Sequence, residues 1–119
     1  MSLEVQIALQ IKLSLDVKVP TRPGQRVFIA AVRESGPPIP LAAKKILVSQ
    51  LPMTVVLTEK DAIIPGQDLT TETKIRVVAR LSNSGSATPQ SGDWEATSES
   101  FDLDVHEGEI MLVIDRQRP

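Results

Sequence analysis

His106 is the only histidine in the sequence, and it stands beside Glu107 and Glu109. An imidazole among carboxylates is the chemistry of a metal ligand or a proton shuttle. A metal site needs several ligands converging at set spacing, and no second histidine and no cysteine is available to supply them. His106 therefore reads as a solvated residue in the turn His106-Glu107-Gly108. Asp61, Asp68, Asp102, Asp104 and Asp115 are the carboxylates that calcium would use. They form no Asp-x-Asp-x-Asp-Gly loop, and Asp102-Leu103-Asp104 places its carboxylates on the solvent face of a strand end. The serines have neither a Gly-x-Ser-x-Gly context nor a base to activate them. Without cysteine there is no disulfide, thiolate or Cys nucleophile. The expectation is a chain that recognises rather than catalyses, with no metal and no cofactor.

Three stretches carry residues suited to recognition. Ser82 to Asp93 is too polar and too rich in Gly and Ser to join a core, and it is longer than most hairpin connections. A strand that presents such a loop is a common way for a β-domain to display a contact surface. Ser82, Asn83, Ser84, Gly85, Ser86 and Gln90 are the candidate contacts there; the competing reading is a solvated loop without a partner. Gly36, Pro37, Pro38, Ile39 and Pro40 form a stiff segment whose prolines cannot donate to a ladder. It reads either as a ledge for a partner or as a rigid crossover with Ile39 and Leu41 tucked into the core. Trp94, the only tryptophan, is either an interface anchor or a core-rim residue.

The elements that must position these residues are strands. Leu3, Val5, Ile7, Leu9, Ile11, Leu13, Leu15, Val17 and Val19 alternate with Glu4, Gln6, Ala8, Gln10, Lys12, Ser14, Asp16 and Lys18. A period of two puts all the aliphatics on one face. A run this long is expected to bend, near Ala8 or Ser14, and to serve two sheets in turn. Pro20 to Gly24 ends it in a turn. Arg26 to Arg33 is continuously apolar between its ends, as expected of a central strand covered on both sides. Ala42 to Val48 is expected as an edge strand, with a single helical turn as the alternative. Met53 to Leu57 is the next strand, with Val55 and Leu57 facing one way. Ala62-Ile63-Ile64 is an apolar step that looks exposed. Further strands are expected over Ile75 to Leu81, over Trp94 to Phe101 and over Ile110 to Ile114, with Asp115 to Pro119 closing the domain. About seven strands at this spacing, with no sustained helical period, predict an all-β fold, an antiparallel immunoglobulin-like β-sandwich.

The chain has 119 residues, 41% of them hydrophobic and 24% charged, with a net charge of -2. One domain spanning residues 1–119 is the expectation. The cations are scattered and the aromatics are two Phe and one Trp, so no nucleic-acid surface is expected. Leu3 to Val19 alternates rather than running continuously apolar, so this fragment is not expected to span a membrane. Met1-Ser2-Leu3 reads as an added start ahead of natural sequence.

Several pieces in order resemble a known family. They are Val27-Phe28-Ile29 with Arg33, Gly36 to Ala42, Leu51-Pro52, Pro65-Gly66, Ala79 to Ser82, Ser84 to Gln90, Gly92-Asp93 and Val113-Ile114-Asp115. Together they resemble the C-terminal periplasmic domain of the cytochrome c maturation proteins CcmI, also called CycH. The resemblance covers Val5 to Pro119. It implies a fragment of a larger inner-membrane-anchored protein, located in the periplasm behind a tetratricopeptide-repeat region. It implies apocytochrome c and components of the haem lyase complex as partners, and a chaperone that holds apocytochrome for delivery. The β-domain's own share is then accessory, by docking in the complex or adding to the apocytochrome surface. In that setting His106 could contact haem, but a single histidine beside Glu107 and Glu109 in a turn favours the solvated reading strongly. No Cys-x-x-Cys-His is present, so covalent haem attachment is not expected. The alternative function is a structural or adhesive immunoglobulin-like module unrelated to cytochrome assembly. An enzyme domain would instead show a deep polar pocket with converging carboxylates. Exposed sandwich edges make a weak homodimer a further expectation.

Overall fold

The alternation of Ile7, Leu9 and Ile11 with Gln6, Ala8, Gln10 and Lys12 folds as strand β1, Gln6–Leu13, and all three aliphatics are buried. The structure is a computed structural model, and it describes residues 6–14, 18–34, 40–69, 74–86, 88–102 and 109–119. β1 is the middle of a three-stranded sheet. On one side it pairs antiparallel with β4, Met53–Thr58, where Leu9 faces Val55. On the other it pairs parallel with β8, Ile110–Ile114, where Leu9 faces Ile110. Val55, Leu57, Leu112 and Ile114 turn inward with the β1 aliphatics.

The second sheet holds β2, Arg26–Arg33, β3, Pro40–Leu47, and β5, Lys74–Leu81. To these are added β6, Trp94–Thr97, β7, Phe101–Asp102, and β9, Arg116–Gln117. Its order is β3-β2-β5-β6-β9, with β7 also paired to β5. Val27, Ile29 and Ala31 of β2 and Ile75, Val77, Ala79 and Leu81 of β5 are fully buried against the first sheet. Each large aliphatic removed from water in this way contributes about 1.5–3 kcal/mol. The result is a two-layer β-sandwich of the expected immunoglobulin-like class, with no α-helix among the described residues.

β3 is an edge strand, the first of the two readings of Ala42 to Val48, and a 3-10 turn at Val48–Gln50 follows it. The β2–β3 register shifts between Ala31 and Val32, opposite Leu41. This bulge turns both Leu41 and Ala42 into the core. Ile63 and Ile64 are exposed, as their sequence context implied.

Five departures have local causes. β1 ends at Leu13; Lys18 and Val19 lie outside any strand, and the pairing of β1 stays within one sheet. Its ladder stops where the partner stops, the Ser14 amide donating to the Ile114 carbonyl at 3.0 Å. The segment that serves both sheets is the last one, β8 in the small sheet and β9 in the large one, with Asp115 between them. The β1–β8 pair is parallel, which alternation along one strand does not reveal. The segment expected as one strand from Trp94 to Phe101 is two, β6 and β7. Between them the Ser98 hydroxyl accepts the Val77 amide at 3.0 Å, taking the place of a ladder carbonyl. Last, β2 is fully covered on one side only: on its outer face Val32 is buried but Phe28 and Ala30 are half-buried.

Leu9→Ala in the core is expected to lower unfolding free energy by about 2–5 kcal/mol in urea melts. Met111→Ala, at an exposed position, is expected to stay within about 0.5 kcal/mol of the parent.

Candidate interaction surface

The residues of β5 alternate inward and outward, so Arg80 leaves the sheet on the outer face, yet it is buried. Its guanidinium lies over the Phe28 ring, 5.0 Å from the centroid. One nitrogen, Nη1, donates to Asp93 Oδ2 at 2.6 Å, and Nη2 donates to the Ser86 carbonyl at 3.2 Å. Asp93 is fully buried. Its Oδ1 accepts the Asn83 amide at 2.9 Å, and its Oδ2 also accepts the Gln90 amide at 3.0 Å. One carboxylate thus ties both ends of the Ser82–Asp93 loop to the sheet that carries it.

The loop's own polar side chains complete the fold. Ser82 Oγ accepts the Gly85 amide and donates to the Ser86 carbonyl. Ser84 Oγ accepts the Ser86 amide, and Ser86 Oγ accepts the Thr88 amide. These are the short side chain-to-backbone bonds that Ser and Asn offer in turns. Asn83 Nδ2 donates to the Gly92 carbonyl at 2.6 Å. Gly85 and Gly92 have φ of 82° and 91°, a region that side chains resist. A Cβ on Gly92 would also stand 3.3 Å from Asn83 Nδ2.

A second turn braces the loop from below. Gln25, buried beside Arg26, donates through Nε2 to the Ser82 carbonyl and to Asn83 Oδ1. The Arg22 guanidinium donates to the Asn83 carbonyl, and the Arg22 amide donates to Gln25 Oε1. A shallow cavity of about 280 Å³ lies between the two turns, lined by Arg22, Pro23, Gln25, Asn83, Ser84 and Gly85. The C-terminal end joins the same cluster: the Arg118 amide donates to the Asp93 carbonyl at 2.7 Å, and the Gly92 amide to the Arg118 carbonyl at 3.0 Å.

The structure therefore gathers Ser82, Asn83, Ser84, Gly85 and Ser86 into one braced knuckle. Gln90 joins it through its backbone while remaining exposed. Trp94 opens β6 opposite Leu81, half-buried against the core, with Nε1 buried and without an acceptor among the described residues. Pro40 is the first residue of β3, a position where a missing amide costs little. Leu41 beside it is fully buried. Gly36, Pro37, Pro38 and Ile39 lie outside the described residues, as does His106. Sequence reasoning missed Arg80, Asp93 and Gln25 as a unit; the one available hint was Asp93 after Gly92, a turn-closing pair. Among the described residues no group of three or more His, Asp or Glu stands where it could hold a metal ion.

The outer face of the large sheet carries an open trough of about 850 Å³. Its floor is Phe28, Ala30 and Val32 of β2 and Val78 of β5, and Thr88-Pro89 of the knuckle and Ile63 are among its walls.

Residues 4–115 match the family described as the Ig-like domain of cytochrome c-type biogenesis protein H. The chain belongs to that family. It is 36% identical over 90 residues to cytochrome c-type biogenesis protein CycH of Pseudomonas aeruginosa, an alignment covering 76% of this chain and 22% of that protein. The chain thus spans about a fifth of the length of the curated CycH relative it matches. No solved structure matches it. The family is the one to which the ordered loop motifs pointed. For this CycH-type Ig-like domain, no helix among the described residues is long and apolar enough to cross a membrane.

Burial by itself would raise the Asp93 carboxyl. The Asn83 and Gln90 amides and the Arg80 guanidinium outweigh it and hold Asp93 below the ordinary carboxylate value. A carboxyl depressed in the folded state adds stability above its unfolded value of about 3.9, and that stability is lost as pH falls through the folded value. Asp93→Leu is expected to cost about 3–5 kcal/mol, because it strands the buried Arg80 charge and two amides. Arg80→Met should cost less, since Asp93 keeps its amide donors. Urea melts at neutral pH test this order, and repeating them down to about pH 3 should show the acid-labile part missing in Asp93→Leu.

Proposed function

We propose that this chain is a non-catalytic protein-interaction domain of a cytochrome c biogenesis chaperone. It works in the periplasm as part of an inner-membrane-anchored protein, where it helps hold apocytochrome c and deliver it to the haem lyase complex. The family match over residues 4–115 carries this reading. The matched relative is named for cytochrome c-type biogenesis, and this domain accounts for only a fifth of its length. The geometry fits an accessory, contact-making part: two sheets present a braced knuckle and an open trough, and the knuckle's carboxylate is committed to structure.

The physical need is plain. An apocytochrome without haem cannot bury enough apolar surface to stay folded. It must be kept extended and unaggregated until haem is ligated. A rigid domain with a preformed contact surface lowers the ordering cost of such an encounter.

Deleting residues 4–115 from the full-length protein is expected to lower holocytochrome c yield severalfold, read by haem staining at constant apocytochrome expression. Unchanged yield with the truncated protein present at normal abundance would overturn the reading. Gln90→Ala, at an exposed position of the knuckle, should keep the parent's melting behaviour, which separates contact effects from folding effects.

A further inference from the structure

We propose that the trough on the outer face of the large sheet seats a polypeptide segment in which carboxylates flank an apolar side chain. The inference names the surface and the partner chemistry for the function proposed above. It rests on that reading only for which protein supplies the segment.

The first observation is sidedness. A sheet face turned to solvent carries polar residues at alternate positions. The outer face of β1 largely obeys this, with Gln6, Gln10 and Lys12 beside Ala8. On the large sheet apolar residues cluster instead: Phe28 and Ala30, half-buried, and Val32, buried, of β2 stand beside Val78 of β5. Ile63, which is 61% exposed, borders the same apolar floor. Ala30 and Ala43 are small, and their size gives the trough its depth between higher neighbours.

The second observation is charge. The chain has a net charge of -2, yet five cationic residues and a single carboxylate, Glu95, line the trough. Arg80 pairs with Asp93, Arg118 with Glu95, and Lys44 stands 3.7 Å from Asp61. Lys45 and Arg76 have no ion-pair partner among the described residues. Arg76 Nε is buried without an acceptor there. Arg76 therefore brings an uncommitted guanidinium to the trough. A carboxylate gives a guanidinium its strongest partner.

The third observation is shape. The trough is open along one side, whereas a small ligand is usually buried over most of its surface. The floor on β2 and β5 is a sheet face with no unpaired backbone ladder, although the edge strand β3 borders it. On that floor the occupant is held by side chains: an apolar group on Phe28–Val78 and carboxylates on Arg76 and Lys45. That is the pattern of an amphipathic segment laid on a groove.

The test uses the isotope-labelled chain and three short synthetic peptides. One carries Phe and Leu flanked by Glu, the second replaces Glu with Lys, and the third replaces Phe and Leu with Ser. The first should shift the amide resonances of Phe28–Val32 and Arg76–Val78 and should bind more weakly as salt rises. Arg76→Ala should weaken it by about fivefold or more. Ala30→Leu, which fills the floor without touching the core, should weaken it similarly, with both variants melting like the parent. Equal binding of the Lys peptide or of the Ser peptide, shifts confined to another surface, or full affinity in both variants would overturn the proposal. So would self-association of the chain through the same resonances without peptide. The titration contains no cytochrome, so its failure leaves the deletion result standing. Normal holocytochrome yield on deletion leaves the trough's affinity standing.

Discussion

The Arg80–Asp93 pair is the constraint on which the loop and the outer face of the large sheet depend. It is a buried charge pair, which by itself adds little net stability after desolvation. Its value is geometric. Asp93 also accepts the amides of Asn83 and Gln90, so the carboxylate fixes the start and the end of the loop at once. The Arg80 guanidinium lies over the Phe28 ring, so the same pair joins the loop to the floor of the trough. The Asp93 carbonyl receives the Arg118 amide, which brings the last segment of the chain to the same place. A neutral carboxyl could not serve in this way, because only the ionised form accepts bonds from Arg80, Asn83 and Gln90 together without needing to donate one.

The sandwich is asymmetric in a way that bears on function. Its inner faces are ordinary: aliphatics from both sheets interdigitate and exclude water. The small sheet turns a mixed face outward, Gln6, Gln10 and Lys12 of β1 beside Ala8 and the exposed Met111 of β8. The large sheet turns apolar side chains outward along β2 and surrounds them with cations. The chain belongs to the CycH Ig-like family, and its match spans about a fifth of the Pseudomonas aeruginosa CycH protein. The wall at Thr88-Pro89 is held from both sides by hydrogen bonds, from the Thr88 amide to Ser86 Oγ and from the Gln90 amide to Asp93.

Much of the fold was legible in residue order because burial on one face of a strand forces a period of two. Ile7, Leu9 and Ile11, or Val55 and Leu57, announce their faces with no knowledge of partners. The trough floor was half legible: the continuous apolar run of Arg26 to Arg33 was read as a strand covered on both sides, and the structure fully covers one side only. The break at Ser98 was hidden, since a serine hydroxyl that replaces a carbonyl looks like any polar residue in a weakly alternating strand. The polar loop's position and length were legible, but the inward direction of its serines was not, because the same residues suit a solvated loop equally well.

The sequence alone determined the class of structure and the family, because side-chain periodicity and ordered turn motifs are local and survive without coordinates. It also ruled out cysteine chemistry, which requires only a count. The tertiary structure decided which strands neighbour which, including the parallel β1–β8 pair and the crossing of the last segment from one sheet to the other. It also decided that Arg80 and Asp93 meet, that Gln25 braces Asn83, and that apolar residues on β2 and β5 share an outer face. The reason is physical: alternation fixes which way a side chain points within its strand, while contacts between distant segments depend on register and sheet order, which the packing of the whole chain settles.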